Sequence, residues 1–522
     1  MEQRRAAGIL LHPTSLPGPH GIGSLGRDAR RFVDFLAEAK LSLWQVLPLG
    51  PTGFGDSPYN SPSSFAGNPL LVDLEELVAS GDLDPSDLDG APALPPAAVD
   101  YVRVAAWKLP LLGTAARRFL AHASPERREG FAAFCRAQAG WLDDWALFAA
   151  LQEWHEAQAR AAGRTPDAWY ECWEDDLRRH RPEALARWQQ EHAEAIAVHK
   201  AWQYFFFTQW RALRRYAQAR GVRIIGDLPI FAARDSADVW AHRELFHVDE
   251  HGRPTVVAGV PPDYFSRTGQ LWGNPLYDWK AMAAQGFAWW KARLRATLEL
   301  AHLVRVDHFR GFEAYWEVPA GHRSALHGRW VKAPGAELFA TLRQDLGALP
   351  LIAEDLGVIT PEVEALRSSL GMPGMKVLQF AFELTDQGKP NAANPFLPHN
   401  YREDCAVYTG THDNDTTAGW FYGLRAEQQE LCERYLPWRE LDIAWRFVRL
   451  ALASVARLAV VPMQDVLSLG SEARMNTPGV ALGNWRWRLG ADALSAELAA
   501  RLRALCELYG REPEPNSGTL GG

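Results

Sequence analysis

LVRVDHFRGF, residues 303–312, begins as a short apolar run and ends in charge. Side chains alternate across a β-strand. With Val304 and Val306 on one face, Leu303, Arg305 and Asp307 share the other. A strand that is apolar towards covering helices and polar at its C-terminal end suits a parallel sheet with a site at its strand ends.

Seven further runs read the same way: GILLHP (8–13), LWQVLP (43–48), VRIIGD (222–227), PLIAED (350–355), KVLQFAF (376–382), CAVYTGTHD (405–413) and LAVVPMQD (458–465). Amphipathic helical stretches such as 29–39, 287–300 and 362–370 lie between them. Alternating strands and helices imply a parallel α/β sheet, and eight units fit a (β/α)8 barrel. An open doubly wound sheet is the alternative, and its ligands also bind at strand C-termini. In either case Asp227, Asp307, His308, Glu354, His412, Asp413 and Asp465 end strands and are candidates for a site.

The spacing of the runs is uneven. Residues 1–48 and 222–510 supply the barrel. Residues 49–221 form an inserted, mostly helical subdomain flanking the cleft. Trp141, Trp145, Phe148 and Leu151 fall at helical spacing there, as do Val198, Trp202, Phe205, Trp210, Leu213 and Tyr216. These aromatics read as core. A second insertion, about 229–300, is loop-rich and is expected at the barrel mouth. The polar REPEPNSGTLGG, 511–522, reads as a disordered tail.

Composition narrows the function. The chain has 522 residues and is 47% hydrophobic and 23% charged, a globular balance. Net charge is −8, so no basic excess favours nucleic acid. No run of about 18 uncharged apolar residues could span a membrane. The apolar run near the N-terminus is cut short by Pro13 and Pro17, unlike a secretory signal. Five scattered cysteines, never in a CxxC pair, argue for a reducing cytoplasm and against a structural zinc.

GIGSLG (21–26) matches a dinucleotide-binding motif by letter only. It lies too far after its strand, and the next strand ends in Pro48 rather than an acid. No GxxxxGK[ST] or HExxH is present. His12, His308 and His412 can meet at the mouth but do not form a ligand-like cluster, so no metal and no cofactor are expected. The acids remain. Arg305 beside Asp307 favours the ionised carboxylate, which suits a nucleophile; a structural ion pair is the competing reading. Glu354 and Asp355 point to opposite faces, and alternation does not choose between them. Asp413 and Asp415 are equally ambiguous. Three strand-end acids in one barrel suit glycoside chemistry, which needs a nucleophile, a general acid and negative charge near an oxocarbenium-like transition state.

Long motifs support the same chemistry. LHPTSLPGPHGIGSLG, GDSPYNSPSSFAGNP (55–69), IIGDLPIF, GVPPDYFSRTGQLWGNPLY, RVDHFRGF, AEDLGVITPEV, THDNDT and SEARMNTPG occur in order along nearly the whole chain. With them the chain resembles the 4-α-glucanotransferases, or amylomaltases, of glycoside hydrolase family 77 in the α-amylase clan. The resemblance implies Asp307 as nucleophile, Glu354 as general acid/base and Asp413 as transition-state stabiliser. It implies Arg305, His308, His412, Tyr59, Ser57, Asp227, Trp272, Phe380 and Asn476 around the glucan. It implies retention, with the carboxyl groups of Asp307 and Glu354 roughly 5–5.5 Å apart, and α-1,4-glucans as partners of a monomer or weak homo-oligomer. The form it resembles is the compact bacterial one. An amylase-type retaining hydrolase is the alternative. Transfer requires a sugar acceptor to outcompete water, and Phe54, Tyr59, Tyr264 and Trp272 are expected to wall its path. Phe54 stands where some relatives place a tyrosine thought to hold glucan outside the active site. With Tyr101 it is a candidate for a secondary glucan site.

Overall fold

A computed structural model describes residues 4–262, 267–385 and 387–513. Eight parallel strands close a barrel. They are β1 (Ala6–Leu10), β2 (Leu43–Gln45), β3 (Arg223–Leu228), β4 (Leu303–Val306), β5 (Leu351–Ala353), β6 (Gly374–Val377), β7 (Cys405–Tyr408) and β8 (Leu458–Pro462). Each pairs with its neighbours in sequence, and β8 pairs with β1.

Alternation decides what fills the barrel. Leu303, Ile225, Ile352, Val377, Ala406 and Val460 face inward and form one apolar cluster. Val304, Val306, Ile224, Leu351, Val407 and Val461 face outward and join the larger cluster under the helices. A buried hydrogen bond from the Tyr408 hydroxyl to Gln45 Oε1 (2.8 Å) crosses the interior. The split expected for LVRV therefore holds, and it puts Arg305 on the inward face.

The sixth strand is shorter than its apolar run. β6 stops at Val377, and Leu378–Phe382 turns into a 3-10 helix. Gln379 donates to the Asp415 carbonyl, and the Phe380 carbonyl accepts from Asn394, both at 2.8 Å. An unbroken apolar run stays buried in either geometry, so its pattern carries no mark of where the strand ends.

Between β2 and β3 run three long helices, α1 (Tyr101–His122), α2 (Pro125–Ala161) and α3 (Ala193–Ala219). Asp100 and Ser124 cap the first two through Arg103 N and Arg127 N. Phe119, Phe131, Tyr204 and Phe205 interlock between them. The second half of α3 lies on the barrel wall. Trp210 Nε1 donates to the Leu300 carbonyl, and Tyr216 and Arg220 both reach Asp34. The stretch up to residue 221 thus ends in a helix that covers the barrel as well as the insertion.

A four-stranded antiparallel sheet stands beside the barrel, in the order Gln270–Pro275, Val256–Val260, Ala314–Pro319, Arg329–Lys332. The loop-rich reading of 229–300 missed its first two strands. The end of the described chain also differs from expectation. Arg511 is fully buried and donates to six carbonyls: those of Ala6, Arg457, Ala451, Leu452, Ser454 and Ala456. It occupies the base of the barrel, where β1 starts beside β8. The disordered-tail reading is corrected for this residue, because one side chain with five donors outweighs a polar, proline-rich context. Residues 514–522 lie outside the described residues.

Candidate active site

Strand pairing carries on past the strand ends and fixes the acids. Asp307 N donates to the Leu228 carbonyl and Glu354 N to the Val306 carbonyl, both at 3.0 Å. His308 then takes a left-handed conformation (φ 47°, ψ 50°), which ends β4 and turns the chain into Phe309–Phe312. Such a conformation is uncommon for a residue other than glycine and marks a constrained turn.

Arg305 is the hub. Its Nη1 lies 2.9 Å from both carboxylate oxygens of Asp227, and its Nη2 lies 2.9 Å from Asp307 Oδ1. Register places Asp227 directly opposite Arg305 on β3. Burial disfavours the guanidinium, but Asp227 and Asp307 outweigh it and hold Arg305 charged, well above its ordinary value. Asp227 is itself pushed up by burial, with Arg305 pulling the other way. The Tyr59 hydroxyl donates to Asp227 Oδ2 at 2.9 Å. The Tyr59 ring stacks on His412 with centroids 5.0 Å apart and planes 15° from parallel. Ser57 Oγ accepts from Tyr59 N at 3.2 Å and caps the turn that presents this tyrosine.

Glu354 faces the cleft opposite. Its Oε2 accepts from His308 N (2.8 Å) and its Oε1 from Leu356 N (2.9 Å). Both bonds, and Arg305, favour the ionised form. Burial outweighs them and, with Asp307 nearby, pushes the carboxyl up to about 7. Asp355 is engaged elsewhere, with Met375 N at 2.7 Å and Arg367 Nε at 3.2 Å. The neighbouring acids are therefore separated by environment, as alternation required but did not order.

Asp413 is half-exposed. Its Oδ1 accepts from Asn476 Nδ2 at 2.6 Å and lies 3.4 Å from His412 Nε2. Asp415 instead accepts from Thr416 N and from Ser471 Oγ. The Trp272 ring meets His308 edge-on at 4.7 Å and is 38% exposed. Burial pushes His308 down to about 4, so it is neutral at ordinary pH. Phe380 packs at the rim of the inner cluster and against Phe396.

The two candidates for a secondary glucan site part company. Phe54 is 72% exposed. Tyr101 is buried in α1, and its hydroxyl donates to the Trp485 carbonyl. It offers no face to a ligand, because the first turn of α1 is packed against the 485–487 strip; the sequence shows only that a tyrosine opens a helix. Tyr264 lies outside the described residues. Two site residues escaped the sequence reading. Trp485 packs beside both Tyr59 and His412, at 5.7 and 5.8 Å. Arg474 donates from Nη2 to the Asp413 carbonyl and from Nε to the Asn476 carbonyl, both at 2.7 Å. Arg474 lies within the quoted SEARMNTPG; Trp485 is hidden among 22 tryptophans.

Two carboxyl groups in contrasting environments, one against a guanidinium and one raised by burial, suit nucleophile and acid in glycosyl transfer. Comparison with known proteins gives the family. Residues 11–493 match the family model described as 4-alpha-glucanotransferase. A 4-alpha-glucanotransferase of Thermus thermophilus is 56% identical over 97% of this chain and 99% of its own length. One from Synechocystis is 50% identical over 98% and 99%. An amylomaltase of Streptococcus agalactiae, solved in complex with acarbose, superposes with a TM-score of 0.92 at 38% identity, covering 98% of this chain and all of that one. The match runs from the end of β1 through the insertion to beyond β8 and takes in every strand-end acid, and on it this chain belongs to the 4-alpha-glucanotransferase family.

Proposed function

We propose that this chain transfers α-1,4-glucan segments from a maltooligosaccharide or amylose donor to the 4-hydroxyl of a second glucan, by double displacement. The observation that carries the mechanism is the contrast between Asp307 and Glu354. Asp307 lies against Arg305, while Glu354 is pushed up to about 7 and holds a proton near neutrality.

In the first step Asp307 attacks the anomeric carbon while Glu354 gives its proton to the glycosidic oxygen. The carbon–oxygen bond breaks, the shortened glucan leaves with its new hydroxyl, and a β-linked glycosyl ester remains on Asp307. In the second step Glu354, now ionised, takes the proton of an incoming 4-hydroxyl. That oxygen attacks the anomeric carbon and Asp307 is released, so two inversions give net retention. Asp413 supplies negative charge to the oxocarbenium-like transition state, with its geometry held by Asn476. Tyr59 and His412 form one wall of the donor sugar's site. The half-exposed Trp272 offers an acceptor glucan a stacking surface that water cannot use. Five free cysteines fit action in a reducing cytoplasm.

Purified protein incubated with maltotriose alone tests this. Mass spectrometry is expected to show glucose together with a ladder of longer maltooligosaccharides. Maltose and glucose without longer products would mean hydrolysis and would overturn the transfer reading.

A further inference from the structure

Asp465 stands just beyond β8 in the short helix Met463–Val466 and is 1% exposed. Its Oδ2 accepts from two hydroxyls, Thr409 Oγ1 at 2.5 Å and Thr417 Oγ1 at 2.7 Å. Its Oδ1 accepts from Thr417 N at 2.7 Å. Thr409 directly follows β7, and Thr417 opens the helix Thr417–Gly423. The loop between them carries His412 and Asp413. Both ends of that loop therefore converge on one carboxylate.

A buried carboxylate is costly unless its lone pairs are satisfied. Three donors satisfy this one. One oxygen takes two hydroxyls at once while the other takes a backbone N–H, so the two threonines stay together only while a polar side chain stands between them. Elsewhere the loop is held by neutral groups and by one cation. Asn414 Oδ1 accepts from Thr411 N and Thr411 Oγ1, Gln379 donates to the Asp415 carbonyl, and Arg474 to the Asp413 carbonyl. Asp465 adds the contact that fixes where the loop leaves one strand and enters the next helix. Misplacing a reacting group by about 1 Å can cost about a hundredfold in rate.

We propose that Asp465 is a positioning residue for glucan transfer: by pinning Thr409 and Thr417 together, it sets the place and angle at which Asp413 meets the sugar. This rests on Asp413 being the transition-state stabiliser. A contribution to stability alone is the competing role, and the test separates the two.

Asp465→Leu removes both acceptor oxygens and Thr409→Val one donor, each at nearly constant volume. Each is combined with Asp413→Asn. The donor is α-maltotriosyl fluoride, whose fluoride leaves without a general acid, so slow variants stay measurable. Circular dichroism fixes an assay temperature at which every variant is folded. In the wild-type background D465L and T409V are expected to lower kcat about tenfold or more, with KM within about threefold. In the D413N background the same changes are expected to cost less than about twofold, because the group they position is gone. Unchanged kcat in both single variants would overturn the proposal, and so would an equal loss in both backgrounds. D413N with near wild-type kcat would overturn the role of Asp413 itself, and the positioning role with it.

Discussion

Arg305 sits at the mouth of the barrel between two carboxylates, whereas Arg511 sits at the base among carbonyls alone. Both side chains are buried, Arg305 to 4% exposure and Arg511 completely. At the mouth, Asp227 and Asp307 hold the guanidinium charged against the cost of burial. At the base, burial lowers the pKa of Arg511, and no carboxylate lies within ion-pair distance of it among the described residues. Its donors satisfy the last carbonyls of helix Ile443–Ala453 and the edge of β1. The same residue type thus serves as an electrostatic hub at one end and as a hydrogen-bonded plug at the other. The lesson is that a charge kept beside reacting atoms has carboxylate partners whose state matters, while a structural one needs only acceptors.

The comparison breaks most directly at Asp307. Asp307→Asn is expected to lower kcat/KM by at least about 10⁴-fold, since it removes the proposed nucleophile. Its melting temperature should stay close to wild type, because Asp227 still satisfies Arg305. Coincident loss of activity and fold would mean that the mouth is structural after all.

At the base the opposite outcome is expected. Arg511→Met takes its donor from the buried carbonyls of Ala6 and Ala456, while those of Leu452 and Ser454 keep Arg5, and should lower stability by about 2–4 kcal/mol in denaturant melts. Its kcat, measured where the variant is still folded, should remain within about twofold. A large fall in kcat would show that the two ends are coupled.

The pH response sharpens the contrast. Glu354 binds its proton more tightly folded than unfolded, so its contribution to stability falls as pH rises from its ordinary value to about 7. Glu354→Gln should therefore raise the melting temperature at pH 8 more than at pH 5, while removing the acid function, which is worth about 10²–10⁴-fold. In the wild type, kcat/KM should decline above a midpoint near 7, where Glu354 loses its proton. A decline that starts well below pH 6 would remove the basis for Glu354 as the acid.

The smallest effect is expected at the outer wall. Trp272→Ala removes about 1 kcal/mol of stacking and should raise the hydrolysis-to-transfer ratio about fivefold, read from the yield of longer glucans. An unchanged ratio would place the acceptor path elsewhere.

Much of this was legible before any coordinates. Alternation in LVRVD placed Arg305 and Asp307 on the inward face, and the eight apolar runs all became barrel strands. Family motifs named Glu354 over Asp355, and the structure gives the physical difference: Asp355 is occupied by Met375 N and Arg367. The antiparallel sheet at 256–332 was not legible, because its strands are short and its central pair, Val256–Val260 with Ala314–Pro319, joins segments on either side of barrel strand β4. Tyr101 and Arg511 misled for a related reason. Each sits in a stretch whose composition points one way, and each is held by residues well removed in sequence, Tyr101 by the Trp485 carbonyl and Arg511 by the carbonyls of Ala6 and of 451–457.

The sequence by itself determined the alternation of strands and helices, the inward and outward faces of LVRVD, and the acids that close the strands. Those depend on local spacing and on a side-chain period of two. Only the tertiary structure decided the state of each acid. Arg305 meets Asp227 from 78 residues away, and Glu354 receives the His308 N–H from 46 away. Burial and the proximity of charge are properties of the folded surroundings, and they place chemically similar carboxyl groups in unlike environments.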